Sequence, residues 1–192
     1  MQLKNLKTNF LGRNCIFYPE IDSTQNEIWR LIRNENIKNG TVVMADIQTN
    51  GKGTRGRVWH TNESENIAFS VFVQMDCNIK KLDGITTEIA EIIIDILDND
   101  YGIKLEIKAP NDIVYNNKKI GGILTETKTI SETVKYLVIG IGINTNAKSF
   151  PKEIENTATS IKNEFGVSVK APEFIAEFCN RVEKEILKRS EM

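Results

Sequence analysis

Four β-rich runs follow one another between Lys104 and Ile143: Lys104 to Ile107, Asp112 to Tyr115, Ile120 to Thr127, and Val134 to Ile143. No helical pattern separates them, and Asn116-Asn117 supplies a turn between the second and third. Strands this close in sequence point to a sheet built largely from chain neighbours. Ile16 to Ile21, Thr41 to Ile47 and Ile67 to Gln74 add further strands. Between the two groups, Lys80 to Asp98 carries Leu82, Ile85, Ile89, Ile92, Ile93 and Ile96 at helical spacing, which predicts a long packed helix ending before Gly102. Ile28, Leu31 and Ile32 mark one face of an earlier helix that Ser23 or Asp22 caps. Ala158 to Phe165 and Pro172 to Leu187 read as two later helices, with Pro172 suited to a first turn. The fold class is therefore α+β, a mixed β-sheet packed with helices mainly on one side. No repeat, low-complexity tract or Pro/Ser-rich linker interrupts the chain, so residues 1–192 read as a single domain.

Composition removes several classes of function. The net charge is −1 and the pI is near 6.0, so there is no basic footprint for nucleic acid. Hydrophobic content of 40% with 27% charged residues is that of an ordinary globular chain. No apolar run approaches the roughly 20 residues that a membrane helix needs. The start, MQLKNLKTNFLGRN, lacks the apolar core and small-residue cleavage site of a signal peptide, and a cytoplasmic protein is expected. Cys15, Cys77 and Cys179 lie far apart and form no CxxC, which argues for small core residues rather than a disulfide framework or zinc site. His60 is the sole histidine. A Ser or Cys nucleophile would depend on it alone, which leaves chemistry to Lys, Arg, carboxylates and backbone amides.

Gln48 to Glu65 is polar and Gly-rich, a loop in which Asn62, Glu63, Ser64 and Glu65 read as a solvated segment. Within it, Gly51-Lys52-Gly53-Thr54-Arg55-Gly56-Arg57-Val58 matches GxGxxG and also the GxGxxGxV of kinases. A Rossmann turn must run from strand into helix, whereas this loop leads to the strand at Ile67. The kinase reading lacks an HRD-type loop and a DFG downstream. What remains is physical. The glycines let the backbone approach a ligand and turn its N–H groups inward as an anion nest. Lys52, Arg55 and Arg57 add positive charge, and Trp59 offers a face to a planar ring. A phosphate-bearing ligand with an aromatic base fits this set; the plain alternative is a solvated loop.

Five segments together resemble the biotin–protein ligases. Gln48 through Trp59 (QTNGKGTRGRVW) resembles their GRGRxGRxW loop, and Lys108-Ala109-Pro110-Asn111-Asp112 their KWPND motif. Lys119-Ile120-Gly121-Gly122-Ile123-Leu124-Thr125-Glu126 resembles K-(L/I)-x-G-I-L-x-E, Gly140-Ile141-Gly142-Ile143-Asn144 resembles GIGIN, and Ile21-Asp22-Ser23-Thr24 contains DST. They occur in the family's order and span residues 16 to about 165. Taken singly, each has a plainer reading: Lys119 a solvated lysine beside Lys118, Asn111-Asp112 a turn after Pro110, Gly140 and Gly142 tight strand packing, Trp59 a core anchor.

The resemblance implies the class II aminoacyl-tRNA synthetase-like fold of biotin and lipoate ligases, and a reaction in which biotin and ATP give biotinyl-5'-AMP before biotin passes to a lysine of biotin carboxyl carrier protein. It implies that Ser23, Thr24 and Gln48 hydrogen-bond the ureido and carboxylate ends of biotin, and that Gly51, Lys52, Gly53 and Thr54 close over it. Gly121, Gly122 and Gly140 would be backbone walls to biotin. Lys119 would meet the biotin carboxylate and the attacked phosphate, and Arg55 and Arg57 the phosphates. Trp59 would pack against adenine, Asn111 would read it, and Asn144 would lie near the nucleotide. Mg²⁺ is expected on the triphosphate, with Asp112 as a helper and no metal site otherwise expected from the protein.

Two positions depart from the family pattern. Thr54 stands in place of the second arginine of GRGR, which implies weaker adenylate retention or compensation by Arg55. Ala109 replaces the tryptophan of KWPND, which implies a rearranged wall near Asn111. Only about 15 residues precede the first strand and no room follows the last helix, so neither an N-terminal winged helix nor a C-terminal SH3-like barrel is expected, and with them no DNA binding. Oligomeric state stays open between monomer and homodimer. The alternatives are a lipoate–protein ligase-type acyl ligase and a non-catalytic biotin- or nucleotide-binding relative.

Overall fold

The computed structural model describes residues 3–61 and 66–191; Asn62, Glu63, Ser64 and Glu65, read above as a solvated segment, lie outside the described residues. The chain runs β1 (Cys15–Ile21), α1 (Thr24–Arg33), β2 (Val42–Gln48), β3 (Gly51–Lys52), β4 (Val58–Trp59), β5 (Asn66–Asn78), α2 (Ile85–Tyr101), β6 (Glu106–Lys108), β7 (Asp112–Tyr115), β8 (Lys118–Ile130), β9 (Thr133–Asn144), α3 (Ile161–Phe165) and α4 (Ala171–Glu191). Seven strands form one sheet in the order β1-β2-β5-β9-β8-β7-β6. β1 and β2 are parallel, joined through α1, and every other neighbouring pair is antiparallel. The remaining two strands, β3 and β4, form a small hairpin of their own inside the segment read as loop.

Local chemistry sets the element ends. Ser23 rather than Asp22 caps α1, its Oγ accepting from the Asn26 N–H, while Asp22 pairs with Arg30 one further turn along. Asn116 and Asn117 both take left-handed φ, 47° and 64°, as a two-residue hairpin turn requires. The long central helix starts later than periodicity suggests. Ile79–Leu82 forms a 3₁₀ turn, Gly84 at φ 79° breaks the chain direction, and α2 then runs to Gly102 at φ 69°. α3 begins only at Ile161, because Ser160 caps it and Ala158 bridges to Lys119 as an extra strand residue.

The strand period of two gives the sheet two unlike faces. On one, Phe69, Val71 and Val73 of β5 and Leu137, Ile139 and Ile141 of β9 join Ile89, Ile93 and Ile96 of α2 and Phe174, Phe178 and Val182 of α4 in the main core. On the other, Val43, Phe72 and Val138 meet Ile28 of α1 in a smaller cluster. α4 also fastens the start of the chain: buried Glu183 accepts N–H bonds from Asn9, Phe10 and Leu11 at 2.6, 2.9 and 2.8 Å. Cys77 and Cys179 are buried, Cys15 is half-buried, and all three are unpaired. Among the described residues, no helix is long and apolar enough to cross a membrane.

Candidate active site

The face that carries α1 is left bare along its middle, and there the exposed-side residues are small. Ala68 and Ser70 of β5 stand opposite Gly142 and Gly140 of β9, which in turn pair with Gly122 and Leu124 of β8. The same alternation that sends Ile139 and Ile141 to the core thus opens a trough. One wall is the start of α1 with the end of β2, and the other is the β3–β4 hairpin. The trough holds a cleft of about 420 Å³. Trp59 and Lys119 separate it from a second cleft of about 1150 Å³, and Gly53 and Thr54 line both.

The smaller cleft is polar at the α1 end. Gln48 Oε1 accepts from the Thr24 N–H at 2.9 Å and from Thr24 Oγ1 at 3.1 Å. Ser23 lines the same end with its hydroxyl engaged as a cap. Gly122 and Gly140 supply the backbone floor. Gly121 does not reach the cleft; a Cβ there would stand 3.4 Å from Ile113, on the core side.

Lys119 reaches the site through a β-bulge. β8 pairs Ile113 with Gly121 but Val114 with Lys119, so Ile120 is the extra residue. The bulge sends Ile120 into the main core and turns Lys119 onto the cleft face beside Gly122. Lys119 Nζ lies 2.6 Å from Asp112 Oδ1 and 5.7 Å from the Trp59 ring centroid. The indole packs so closely on Gly142 that a Cβ there would collide with Trp59 Cε2. Trp59 Nε1 is buried with no hydrogen-bond partner, a donor that a ligand atom can satisfy.

The β3–β4 hairpin carries the Gly-rich sequence. Gly51 backs onto the Trp59 carbonyl so tightly that no side chain fits. Arg55 and Gly56 take left-handed φ of 57° and 73°, which turns the loop tip. Lys52 lines the smaller cleft and Arg57 the larger, with Arg57 folded onto Thr54: its Nη2 lies 3.0 Å from Oγ1. Arg55 joins neither. It faces a third hollow lined by Thr86, Ala109 and Pro110, the space left at the small Ala109 side chain.

The larger cleft takes Asn144 and Asp112 from the sheet, and Phe150, Ile154 and Ala158 from the segment after β9. Asn144 Nδ2 donates to Thr159 O at 3.1 Å, which ties that segment to the strand. Asn111 is not in this cleft. It lines the smaller one, with Nδ2 bonded to Ile123 O at 3.1 Å. The sequence does not single out Gln25, Ser70, Phe150 or Ile154, and marks Glu126 only as the end of a motif with no role attached. Ser70 alone leaves a trace, a hydroxyl inside the apolar run Ile67 to Val73. Phe150 and Ile154 sit in a segment without period.

The profile of the biotin/lipoate A/B protein ligase family matches residues 17–144. The chain belongs to this family. It is 39% identical over 166 residues to the bifunctional ligase/repressor BirA of Bacillus spizizenii, covering 85% of this chain and 51% of that protein. It is 29% identical over 159 residues to the biotin–[acetyl-CoA-carboxylase] ligase of Paracoccus denitrificans, covering 80% of this chain and 65% of that one. The chain thus spans about half the length of the first of these relatives. In three dimensions it superposes on a biotin protein ligase from Aquifex aeolicus in complex with biotin and ATP, with a TM-score of 0.77 and 30% identity over 93% of this chain and 72% of that one. The mixed sheet and its helices are the catalytic fold of the biotin/lipoate ligase family, class II aminoacyl-tRNA synthetase-like.

Proposed function

We propose that this chain carries the catalytic function of a biotin–protein ligase, making biotinyl-5'-AMP from biotin and ATP and passing biotin to a lysine of biotin carboxyl carrier protein. The observation that carries the reading is Lys119, a cation on the shared boundary of a small polar-ended cleft and a larger one. A carboxylate is a poor acyl donor. Here it attacks the α-phosphorus of ATP; a P–O bond forms, the bond to the bridging oxygen breaks, and pyrophosphate leaves. The carrier lysine amine then attacks the acyl carbon and AMP departs. Both steps need cations where negative charge gathers and close alignment of the partners, and neither needs a histidine.

In this reading Ser23, Thr24 and Gln48 meet the ureido end of biotin, and Gly122 and Gly140 lie beneath it, with Gly121 one layer behind. Lys119 meets the carboxylate and the phosphate. The hairpin from Gly51 to Arg57 covers the adenylate, with Arg57 at the phosphates; Arg55 would have to turn from the third hollow to join it. Trp59, Asn144, Phe150 and Ile154 form the nucleotide side. Asn111, bonded to Ile123 O in the smaller cleft, fits a wall of the adenylate better than an adenine reader. Among the described residues, no group of three or more His, Cys, Asp or Glu could hold a metal ion. Mg²⁺ would be carried mainly by triphosphate oxygens and waters, with Asp112 the carboxylate that lines the larger cleft. The reading places the protein in the cytoplasm with its ATP and carrier.

The test mixes the protein with ATP, Mg²⁺, biotin and a biotin carboxyl carrier domain, and follows pyrophosphate and carrier mass. Pyrophosphate with a gain of one biotin on the carrier supports the ligase. Turnover with lipoate and none with biotin moves the protein to the lipoate side of the family, and silence with both leaves a binding protein.

A further inference from the structure

We propose that Glu126 is a positioning residue that fixes the direction of the hydrogen bonds at the polar end of the smaller cleft, acting through Gln25 and Ser70 on Thr24. The inference rests on the biotin reading above and concerns how that cleft tells a donor from an acceptor. Glu126 Oε2 accepts two bonds, from Gln25 Nε2 at 2.9 Å and from Trp29 Nε1 at 2.6 Å. A carboxylate only accepts and an indole N–H only donates. Gln25 must therefore turn its NH₂ toward Glu126, and its Oε1 then faces Ser70. Ser70 commits its single hydrogen to that oxygen, at 2.9 Å. The next link, Thr24 Oγ1 to Ser70 Oγ at 2.9 Å, has no direction of its own, since either hydroxyl could donate. With the Ser70 hydrogen already used, only Thr24 can donate across this link, and its one hydrogen is shared between Ser70 Oγ at 2.9 Å and Gln48 Oε1 at 3.1 Å.

The consequence appears in the cleft. Thr24 gives its one hydrogen to a protein acceptor, Ser70 Oγ or Gln48 Oε1, and leaves lone pairs for a ligand. Gln48 takes the Thr24 N–H on Oε1, which turns its NH₂ the other way. The pocket end then offers an acceptor from Thr24 and a donor from Gln48, the complement of a urea, which has N–H groups to give and a carbonyl to receive. Thr24, Gln25 and Ser70 are all buried, so water does not substitute for a missing link. Gly140 makes the relay possible: a Cβ there would stand 2.6 Å from Gln25 Oε1.

Without Glu126, the Gln25 amide can turn over. Ser70 then receives from Gln25 and donates to Thr24, which occupies a Thr24 lone pair that the ligand N–H needs and leaves the Thr24 hydrogen to Gln48 Oε1 or the ligand. The experiment compares wild type with Glu126→Leu, Glu126→Gln, Ser70→Ala and the Glu126→Leu/Ser70→Ala double variant. It reads biotin affinity by calorimetry, and kcat and both KM values by pyrophosphate release. Loss of one oriented hydrogen bond should raise the biotin KM roughly 10-fold in Glu126→Leu and in Ser70→Ala, with kcat and the ATP KM within about twofold. The double variant should be no worse than either single one, because both break the same chain. Glu126→Gln should recover most of the affinity, since its amide oxygen can face the same two donors. Multiplying effects near roughly 100-fold overturn the relay. So does a Gln variant as impaired as the Leu variant, or a fall in kcat at unchanged biotin KM. If Glu126→Leu does not fold, Ser70→Ala decides alone, and an unchanged biotin KM there overturns the proposal. A wild-type protein that binds no biotin overturns the biotin reading and the relay with it. Binding by wild type with independent variant effects overturns the relay only.

Discussion

Lys119→Ala separates the proposed chemical role of this lysine from any part it has in the fold. Its ion pair with Asp112 is short, 2.6 Å, but the two side chains keep 30% and 20% of their exposure. Half-exposed pairs of this kind contribute about 1 kcal/mol or less to stability. The chemical term is larger. A unit positive charge about 4 Å from a unit negative charge, at an effective dielectric near 20, is worth about 4 kcal/mol. Part of that already acts on the bound carboxylate and phosphate, and only the excess gained in the transition state speeds the reaction. Loss of about 3 kcal/mol of that excess lowers kcat about 100-fold or more. Pyrophosphate release at saturating biotin and ATP measures it, beside urea unfolding of both proteins. Lys119→Met is the packing control, because it keeps the stem that lies over Gly122. A loss of kcat under tenfold would refute the assigned role. A stability loss above about 3 kcal/mol would instead make Lys119 a structural residue.

Three further perturbations probe the surrounding frame. Gly142→Ala puts a methyl where the Trp59 indole lies; it should expel the ring, shift its fluorescence to longer wavelength and cost about 1–3 kcal/mol, and unchanged emission would sink this account. Glu183→Ala leaves three backbone N–H groups without their acceptor; it should cost about 3–4 kcal/mol in denaturant unfolding and expose residues before Cys15 to protease, whereas a loss below about 1 kcal/mol means that water replaces the carboxylate. The Arg30 guanidinium, bonded to both oxygens of Asp22, holds that carboxyl well below the usual range. A depressed folded-state pKa stabilises above the unfolded value near 3.9, and the gain disappears as pH falls through the folded value. Asp22→Asn should therefore cost about 0.5–1 kcal/mol at pH 7, after allowance for solvent screening, and progressively less below about pH 4; a difference that is constant down to pH 2.5 would contradict it.

Much of the fold is legible in the sequence because one physical rule, apolar period, decides it. The strand at Asp112 to Tyr115 has the expected ends, the Asn116-Asn117 turn is where two left-handed residues are needed, and the isoleucines of α2 face the core. The differences arise where a local bond outweighs the period. Ser160 and the Lys119–Ala158 bridge shorten α3, and Gly84 delays α2. The site is legible by motif but not by geometry. No pattern in Lys118 to Ile123 announces a bulge, yet that one extra residue decides whether a lysine or an isoleucine faces the cleft. Gln25, Ser70 and Glu126 come from three distant stretches, and only the pairing of β5, β9 and β8, with α1 packed on that face, brings them together.

The two halves of the site are held with different firmness. Gly122, Gly140, Ser70 and Thr24 stand on long strands or a helix start that is buried from the other side by a packed core, so their positions are fixed with the sheet itself. The cations Lys52 and Arg57 ride on a hairpin of two-residue strands, and Arg57 spends its Nη2 and Nε donors on Thr54 at 3.0 and 3.3 Å. Where the family pattern has an arginine, Thr54 instead gathers the neighbouring one onto the loop. In the proposed reaction, recognition of the polar end of the ligand and retention of its phosphate would thus rest on parts that can change independently. Under the proposed function the floor would set which acid is accepted, through hydrogen bonds fixed by the sheet. The hairpin would set how long the activated acid stays, through a guanidinium whose release from Thr54 would compete with its hold on phosphate.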